Sequence, residues 1–145
     1  MEFLQANFLD YLVLGTLGLM SFVMLALVIE RYLYLRKVSL QQFDHIETLK
    51  IDLTRNLTTI SSIGSNAPYV GLLGTVLGIL VTFYTMGQGG KIEVNAIMLG
   101  LALALKATAA GLLVAIPAIM FYNGLLRKVE VLTARWQALR DGKSA

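Results

Sequence analysis

Three long apolar stretches dominate the pattern of residues along this chain of 145 residues. No charged residue occurs at positions 11–29 or 56–90, and positions 94–126 hold a single one, Lys106. A helix needs about 20 mostly apolar residues to cross a bilayer, so each stretch predicts one transmembrane helix. We place these spans at about 10–34, 67–87 and 95–122. The pattern therefore predicts an all-α membrane protein that forms a single membrane domain over residues 1–145.

Basic residues cluster after the first and third spans and are scarce elsewhere. They are Arg31, Arg36, Lys37, Lys50 and Arg55 after the first span, and Arg127, Lys128, Arg135, Arg140 and Lys143 after the third. Cytoplasmic loops carry an excess of lysine and arginine. This predicts that the N-terminus and the Gln88–Val94 connection lie outside, and that residues 36–66 and 124–145 lie in the cytoplasm.

Two stretches beyond the spans also have a helical pattern. Apolar residues recur every three or four positions in both, which is typical of a packing seam. They are Leu125, Val129, Leu132, Trp136 and Leu139 in one stretch, and Ile46, Leu49, Leu53, Leu57 and Ile60 in the other. We expect the second and third helices to extend into the cytoplasm and pack there; two separate interfacial helices are the alternative. Ser61–Ser65 and Pro68 are expected to loosen the chain where the second span begins.

Composition excludes several classes of function. With 57% apolar and 14% charged residues the chain is too apolar for a soluble domain, and its basic residues flank the spans, which indicates membrane topology rather than nucleic-acid binding. Cysteine is absent, and the one histidine, His45, lies in a polar stretch as a surface residue. A metal site needs several convergent donors. We therefore predict no metal, no cofactor and no enzymatic activity.

Small residues form one face on each of the last two spans. The faces are Gly71, Thr75, Gly78 and Thr82 on the second span, and Ala104, Thr108, Gly111 and Ala115 on the third. In lipid, small residues mark places where helix backbones approach closely. Membrane threonines also often bond to their own helix. The two faces are thus predicted either to pack tightly or to line a narrow pore.

Lys106 is the unusual residue inside the membrane. It lies about 11 residues into the third span, roughly 16 Å deep, where a charge costs about 2.5–3.5 kcal/mol. We place every acidic residue of the chain outside the membrane, so carbonyls, water or another polypeptide must balance Lys106. It points about 160° away from Thr108 around the helix. That angle favours a subunit contact, with an ion-path role as the alternative. Pro117 is expected to kink the same helix.

Two segments resemble the signature of the ExbB/TolQ/MotA proton-channel family. They are NAPYVGLLGTVLGI at 66–79 and LKATAAGLLVAIPAIMFYN at 105–123. The resemblance implies a subunit of a motor in the bacterial inner membrane. In such a motor a homo-oligomeric ring, typically of five subunits, surrounds an ExbD-type one-span partner that carries a protonatable aspartate. It further implies that the proton-motive force drives a TonB-type protein. A TolQ-like role in envelope maintenance and a purely structural membrane scaffold are the alternatives.

The resemblance also assigns roles to residues of this chain. Thr75 and Thr108 match the threonines that line the proton path, and Pro117 matches the proline that kinks the helix. The close approach of the helices is assigned to Gly71, Gly74 and Gly78, and Gly111 adds to it.

The chain departs from the family pattern at one site position. Leu103 stands where many members carry a glutamate, so the proton carrier is expected to come wholly from the partner.

We further expect subunits to meet through the second and third spans and the Leu125–Leu139 seam, because a monomer would otherwise expose its small-residue faces to lipid.

Overall fold

Four α-helices and one short turn of 3₁₀-helix make up the part of the chain that the structure describes. The computed structural model describes the backbone of residues 2–142 and the side chains of residues 7–142. The helices are α1 (Glu2–Lys37), α2 (Ile46–Leu53), α3 (Leu57–Gly89) and α4 (Val94–Arg140), and the 3₁₀-helix is Leu40–Gln42. Lys143, which was counted with the basic residues after the third span, lies outside the described residues.

Three of these helices are long and apolar enough to cross a bilayer. They are Asn7–Lys37, Leu57–Gly89 and Val94–Arg140. The prediction of an all-α membrane protein with three transmembrane helices is confirmed. At 1.5 Å per residue, the 47 residues of α4 extend about 70 Å, whereas the hydrocarbon core is about 30 Å thick. The α3–α4 turn (residues 90–93) lies at one end of the bundle, and we call the opposite end the α2 end.

The expected loosening at Ser61–Ser65 and Pro68 is wrong, because α3 runs through both without a break. Ile60, Ile63, Gly64 and Ala67 are buried on the inner face of this stretch, so tertiary packing overrides the weak helix propensity of the serines. The break falls earlier, at residues 54–56.

The apolar seam at the α2 end packs within the chain. Leu125, Val129, Leu132 and Trp136 are buried on α4 against α2, α3 and the end of α1, while Leu139 is 47% exposed. Because α4 is continuous from Val94 to Arg140, its last five turns do not form a separate interfacial helix. The Trp136 Nε1–H donates to the carbonyl of Phe43 over 3.0 Å, which ties the connection before α2 to this seam.

Candidate functional site

Glycines allow α3 and α4 to approach backbone to backbone. A Cβ atom on Gly71 would lie 2.6 Å from the carbonyl oxygen of Ala107, and one on Gly111 would lie 2.6 Å from that of Ala67. Real Cβ atoms do not tolerate such contacts. The two small-residue faces therefore pack against each other. The expectation that a monomer exposes them to lipid is wrong, because one chain already covers both.

The first helix lies along one side of this seam. A Cβ atom on Gly74 would lie 2.8 Å both from Cγ1 of Val13 in α1 and from Cβ of Ala107 in α4. Val13 and Leu17 are buried there, together with Ala67, Ala107 and Ala115. Gly74 and Ala107 thus mark the side of the α3–α4 pair that faces α1.

Thr75 and Thr108 meet in the same seam. The buried Thr75 hydroxyl donates to the carbonyl oxygen of Ala104 over 2.8 Å and also lies within hydrogen-bond distance of the Thr108 hydroxyl. A hydroxyl has one hydrogen, so the Thr108 O–H donates to Thr75 in this arrangement. Reversing both hydroxyls moves the donor role from one residue to the other without creating a fixed charge. The pair is a hydrogen-bonded contact between two spans.

The threonine pair is turned away from α1. Thr75 follows Gly74 by one residue and Thr108 follows Ala107 by one, which is a rotation of about 100° around each helix. Since Gly74 and Ala107 face α1, the two hydroxyls lie towards the opposite side of the seam. A proton acceptor that approaches that side would meet the hydroxyls without displacing α1.

Lys106 has an acidic partner within its own chain. Its Nζ lies 3.8 Å from Oδ2 of Asp10, and the two side chains are 56% and 27% exposed. The inference that no acidic residue of the chain reaches Lys106 is therefore wrong. The inference placed Asp10 at the end of the first span, but α1 begins at Glu2, eight residues before Asp10. Those residues extend the helix by about 12 Å, so Asp10 lies inside the bundle and not at its rim.

A cavity of about 100 Å³ lies beside Asp10, between α1, α3 and α4. Its lining residues are Asn7, Leu9, Asp10, Val13, Gly74, Gly78, Thr82, Gly100, Leu103, Ala104 and Ala107. Leu103, the position at which many members of the resembled family carry glutamate, thus borders the same space as Asp10. Sequence reasoning missed this juxtaposition. The available signal was the apolar character of residues 3–9, which favours a helix that begins before Asp10.

Pro117 lies inside α4, which continues through it. The predicted kink at this proline stays a prediction.

A second polar cluster, also missed from sequence, surrounds Arg31 near the other end of α1. Arg31 is 2% exposed and forms two bonds to the Glu30 carboxylate, of 2.5 and 2.7 Å. Its Nη1 donates to the backbone carbonyl of Asp52 over 2.7 Å, and the Tyr34 hydroxyl donates to the Asp52 carboxylate over 2.9 Å. This cluster fastens α2 to α1.

Comparison with known proteins gives consistent matches. The model of the MotA/TolQ/ExbB proton channel family matches residues 34–138. The biopolymer transport protein ExbB of Helicobacter pylori is 52% identical over 134 residues, which cover 92% of each chain. The protein of the same name from Aquifex aeolicus is 53% identical over 131 residues, 90% of this chain and 88% of that one. The Tol-Pal system protein TolQ of Pseudomonas aeruginosa is 38% identical over 89 residues, 61% of this chain and 38% of that one.

The fold and the site define a multi-pass, all-helical membrane protein with two hydrogen-bonded hydroxyls between two closely packed spans. The family match covers most of the length of the chain, and the two ExbB relatives align with nearly all of it. The chain belongs to the MotA/TolQ/ExbB proton channel family.

Proposed function

We propose that this chain is an ExbB-like proton-channel subunit of a motor in the bacterial inner membrane. Several copies, five in the typical arrangement, form a ring around an ExbD-type one-span partner. The proton-motive force drives a TonB-type protein through this complex. Support comes from the family membership and from the two relatives named biopolymer transport protein ExbB. The N-terminus lies outside and the α2 end lies in the cytoplasm, as the distribution of basic residues favours.

One observation carries the proposal: Thr75 and Thr108 hydrogen bond to each other across the α3–α4 seam, on the side away from α1. Hydroxyls solvate or pass a proton without holding a fixed charge in the bilayer. A carboxyl group on a partner helix that faces this side would exchange its proton with the pair. The potential supplies about 2.3 kcal/mol for each charge that crosses 100 mV, which is enough to switch a bistable interface.

The test is proton flux through the chain reconstituted in liposomes with its one-span partner, driven by a potassium diffusion potential and read with a trapped pH dye. Thr75→Val and Thr108→Val keep the side-chain shape and remove the hydroxyl. A lost hydrogen bond to a proton in transit costs about 1–3 kcal/mol, which lowers the rate by a factor of about 5 to 150. We therefore expect flux to fall by that factor while the complex still assembles.

The matched control is Thr16→Val. Thr16 is a threonine of α1 that is exposed and donates to the carbonyl of Leu12 in its own helix. Flux in this variant should stay near the parent value. Normal flux in both seam variants, at normal assembly, would assign Thr75 and Thr108 to packing alone. Absence of flux in the parent complex would favour the structural scaffold over the channel.

A TolQ-like role is the second candidate, because the TolQ of Pseudomonas aeruginosa matches part of the chain. The two roles differ in the process that fails when the gene is deleted. Loss of energy-dependent uptake across the outer membrane indicates the ExbB-like role. Leakage of periplasmic proteins and sensitivity to detergent indicate the TolQ-like role.

A further inference from the structure

An ionisable pair that takes no part in the threonine pair lies on the other side of the α3–α4 seam. Asp10 of α1 and Lys106 of α4 approach within 3.8 Å, inside the apolar part of the bundle. Ionisable side chains at such depth are costly and rare in membrane helices, and they generally serve an ion path or a binding site. The question is whether this pair only fastens α1 to α4 or also carries a proton.

The geometry of the Asp10–Lys106 pair does not fit a salt bridge that serves only to hold α1 to α4. Charged groups that hold helices together make bonds of about 2.7–2.9 Å, as Arg31 does where it bonds the Asp52 carbonyl over 2.7 Å. The distance between Lys106 Nζ and Asp10 Oδ2 is a full ångström longer, and the Lys106 side chain is 56% exposed. The Asp10 carboxylate thus has its counter-charge nearby, and no hydrogen bond from the residues whose side chains are described occupies its oxygen atoms.

The cavity beside Asp10 supplies a place for that water. Its volume of about 100 Å³ has room for roughly three molecules at about 30 Å³ each. It extends along α4 from Gly100 to Ala107, which is about 10 Å. It also reaches Ala104, whose carbonyl accepts the Thr75 hydroxyl on the far side of the seam. One layer of helix backbone therefore separates the cavity from the threonine pair.

We propose that Asp10 is a proton-binding carboxylate on the ion path of this chain, with Lys106 as its fixed counter-charge. This deepens the proposed function and rests on it. A hydronium ion in the cavity transfers its proton to a carboxylate oxygen of Asp10 and leaves a water molecule. Another water molecule of the cavity then accepts the proton from Asp10, which restores the carboxylate. Among the described residues that line the cavity, α3 contributes Gly74, Gly78 and Thr82, none of which titrates, so Lys106 is the charge that faces Asp10.

The first experiment asks whether Asp10 binds a proton, and it does not depend on proton conduction. Dicyclohexylcarbodiimide, which adds to protonated carboxyl groups in apolar surroundings, is applied to the full chain in membrane vesicles at several pH values. Mass spectrometry of the peptides then locates the adduct. We expect an adduct on Asp10 that decreases as the pH rises. The internal control is Glu30 on the same helix, whose carboxylate is bonded twice by Arg31 and should stay unmodified. No adduct on Asp10 at any pH at which flux is measured would overturn the proposal.

The second experiment separates a proton-binding carboxylate from a fastening pair. Asp10→Asn should lower proton flux by about tenfold or more, the usual effect of losing a positioned proton-transfer group. Asp10→Asn/Leu103→Glu returns a carboxylate to the same cavity from α4, three residues from Lys106, and leaves α1 without a charge partner. We expect flux to recover to within about threefold of the parent, since the positioned carboxylate is present again. Asp10→Asn/Leu105→Glu is the matched control, because Leu105 is exposed and does not line the cavity; it should not recover.

These flux measurements decide whether Asp10 binds a proton on the ion path or only holds α1 to α4. Normal flux in Asp10→Asn overturns the proposal, and so does recovery in the Leu105 control to the same level as in the Leu103 variant. Asp10→Glu keeps the carboxylate with little change of shape, so a loss of flux in that variant equal to the loss in Asp10→Asn counts against a proton-binding role. A parent complex that conducts no protons would contradict the proposed function, whereas the adduct on Asp10 would still show whether this residue binds a proton.

Discussion

At the scale of single residues, the site depends on glycines, which have no side chain, as much as on the two threonines. Gly71 and Gly111 bring the backbones of α3 and α4 so close that the hydroxyls of Thr75 and Thr108 meet between them. In a bilayer the close packing of small residues replaces the hydrophobic effect as the force between helices. The glycines therefore set both the stability of the seam and the geometry of the threonine pair.

Gly111→Val should destabilise the chain by about 1–3 kcal/mol, the usual cost of overpacking, because its side chain would meet the Ala67 carbonyl. Unfolding in mixed detergent micelles, followed by circular dichroism, measures this change. Gly18→Val is the control, because a Cβ atom on Gly18 of α1 meets nothing within 4 Å. That variant should stay within about 0.5 kcal/mol of the parent. Equal destabilisation of the two variants would show that the close approach of the helices at Gly111 is not responsible.

The break between α2 and α3 depends on the left-handed backbone of Asn56, whose φ is 68°. Asparagine and glycine adopt this conformation readily, whereas a β-branched residue does not. Asn56→Val should therefore cost about 1–2 kcal/mol of unfolding free energy, and Asn56→Gly should leave it nearly unchanged. The same micelle unfolding experiment compares the two. A valine variant as stable as the glycine variant would mean that the turn relaxes into another conformation.

At the scale of elements, Arg31 decides where α2 lies. It is buried in α1, yet it reaches the carbonyl of Asp52 at the end of α2, and its guanidinium lies 4.4 Å from the centre of the Tyr34 ring. Hydrogen bonds to charged groups contribute about 1.5–3 kcal/mol each. The short helix α2 thus depends on α1 for its position as well as on its buried residues Leu49 and Leu53.

Arg31→Met should loosen α2 while the three spans stay folded. Lys50 and Arg55 flank Asp52 and are exposed, so trypsin reports the loosening directly. A loss of about 1.5 kcal/mol raises the open population, and with it the cleavage rate, about tenfold. Arg36→Met is the control, since Arg36 is exposed and lies over Tyr32 of its own helix. Equal cleavage rates in the two variants would remove Arg31 from this role.

The helices also show which parts of the fold can be predicted from the sequence alone. The three spans could be predicted because the length of an apolar stretch that crosses a bilayer is a strong constraint. The unbroken course of α3 through Ser61–Ser65 and Pro68 could not, because packing against α1 and α4 outweighs local propensity. Asp10 beside Lys106 could not either. The pair joins distant parts of the chain, and its depth depends on how far α1 extends before Asp10.

At the scale of the whole molecule, the α3–α4 pair divides two kinds of polar group. Thr75 and Thr108 lie towards the side away from α1, and Asp10 with Lys106 lies on the side that α1 covers. If the threonine side faces a central partner, α1 and Lys106 lie outward or sideways in the ring. The seams first expected to join subunits are used within one chain, so the proposed ring would use the outer faces of the helices instead.

Lys106 tests that arrangement. We propose that it contributes to the contact between subunits in addition to acting as the counter-charge of Asp10. More than half of its side chain is exposed, and Asp10 at 3.8 Å satisfies it only loosely. Carbonyl or hydroxyl groups of a neighbouring subunit would complete its bonds. Polar contacts between membrane helices contribute about 1 kcal/mol each, so Lys106→Met should weaken each interface about fivefold. Native mass spectrometry across a dilution series measures the oligomer, with Lys91→Met in the α3–α4 turn as the control. If both variants keep the parent distribution, Lys106 contributes nothing to assembly and serves only as the counter-charge of Asp10.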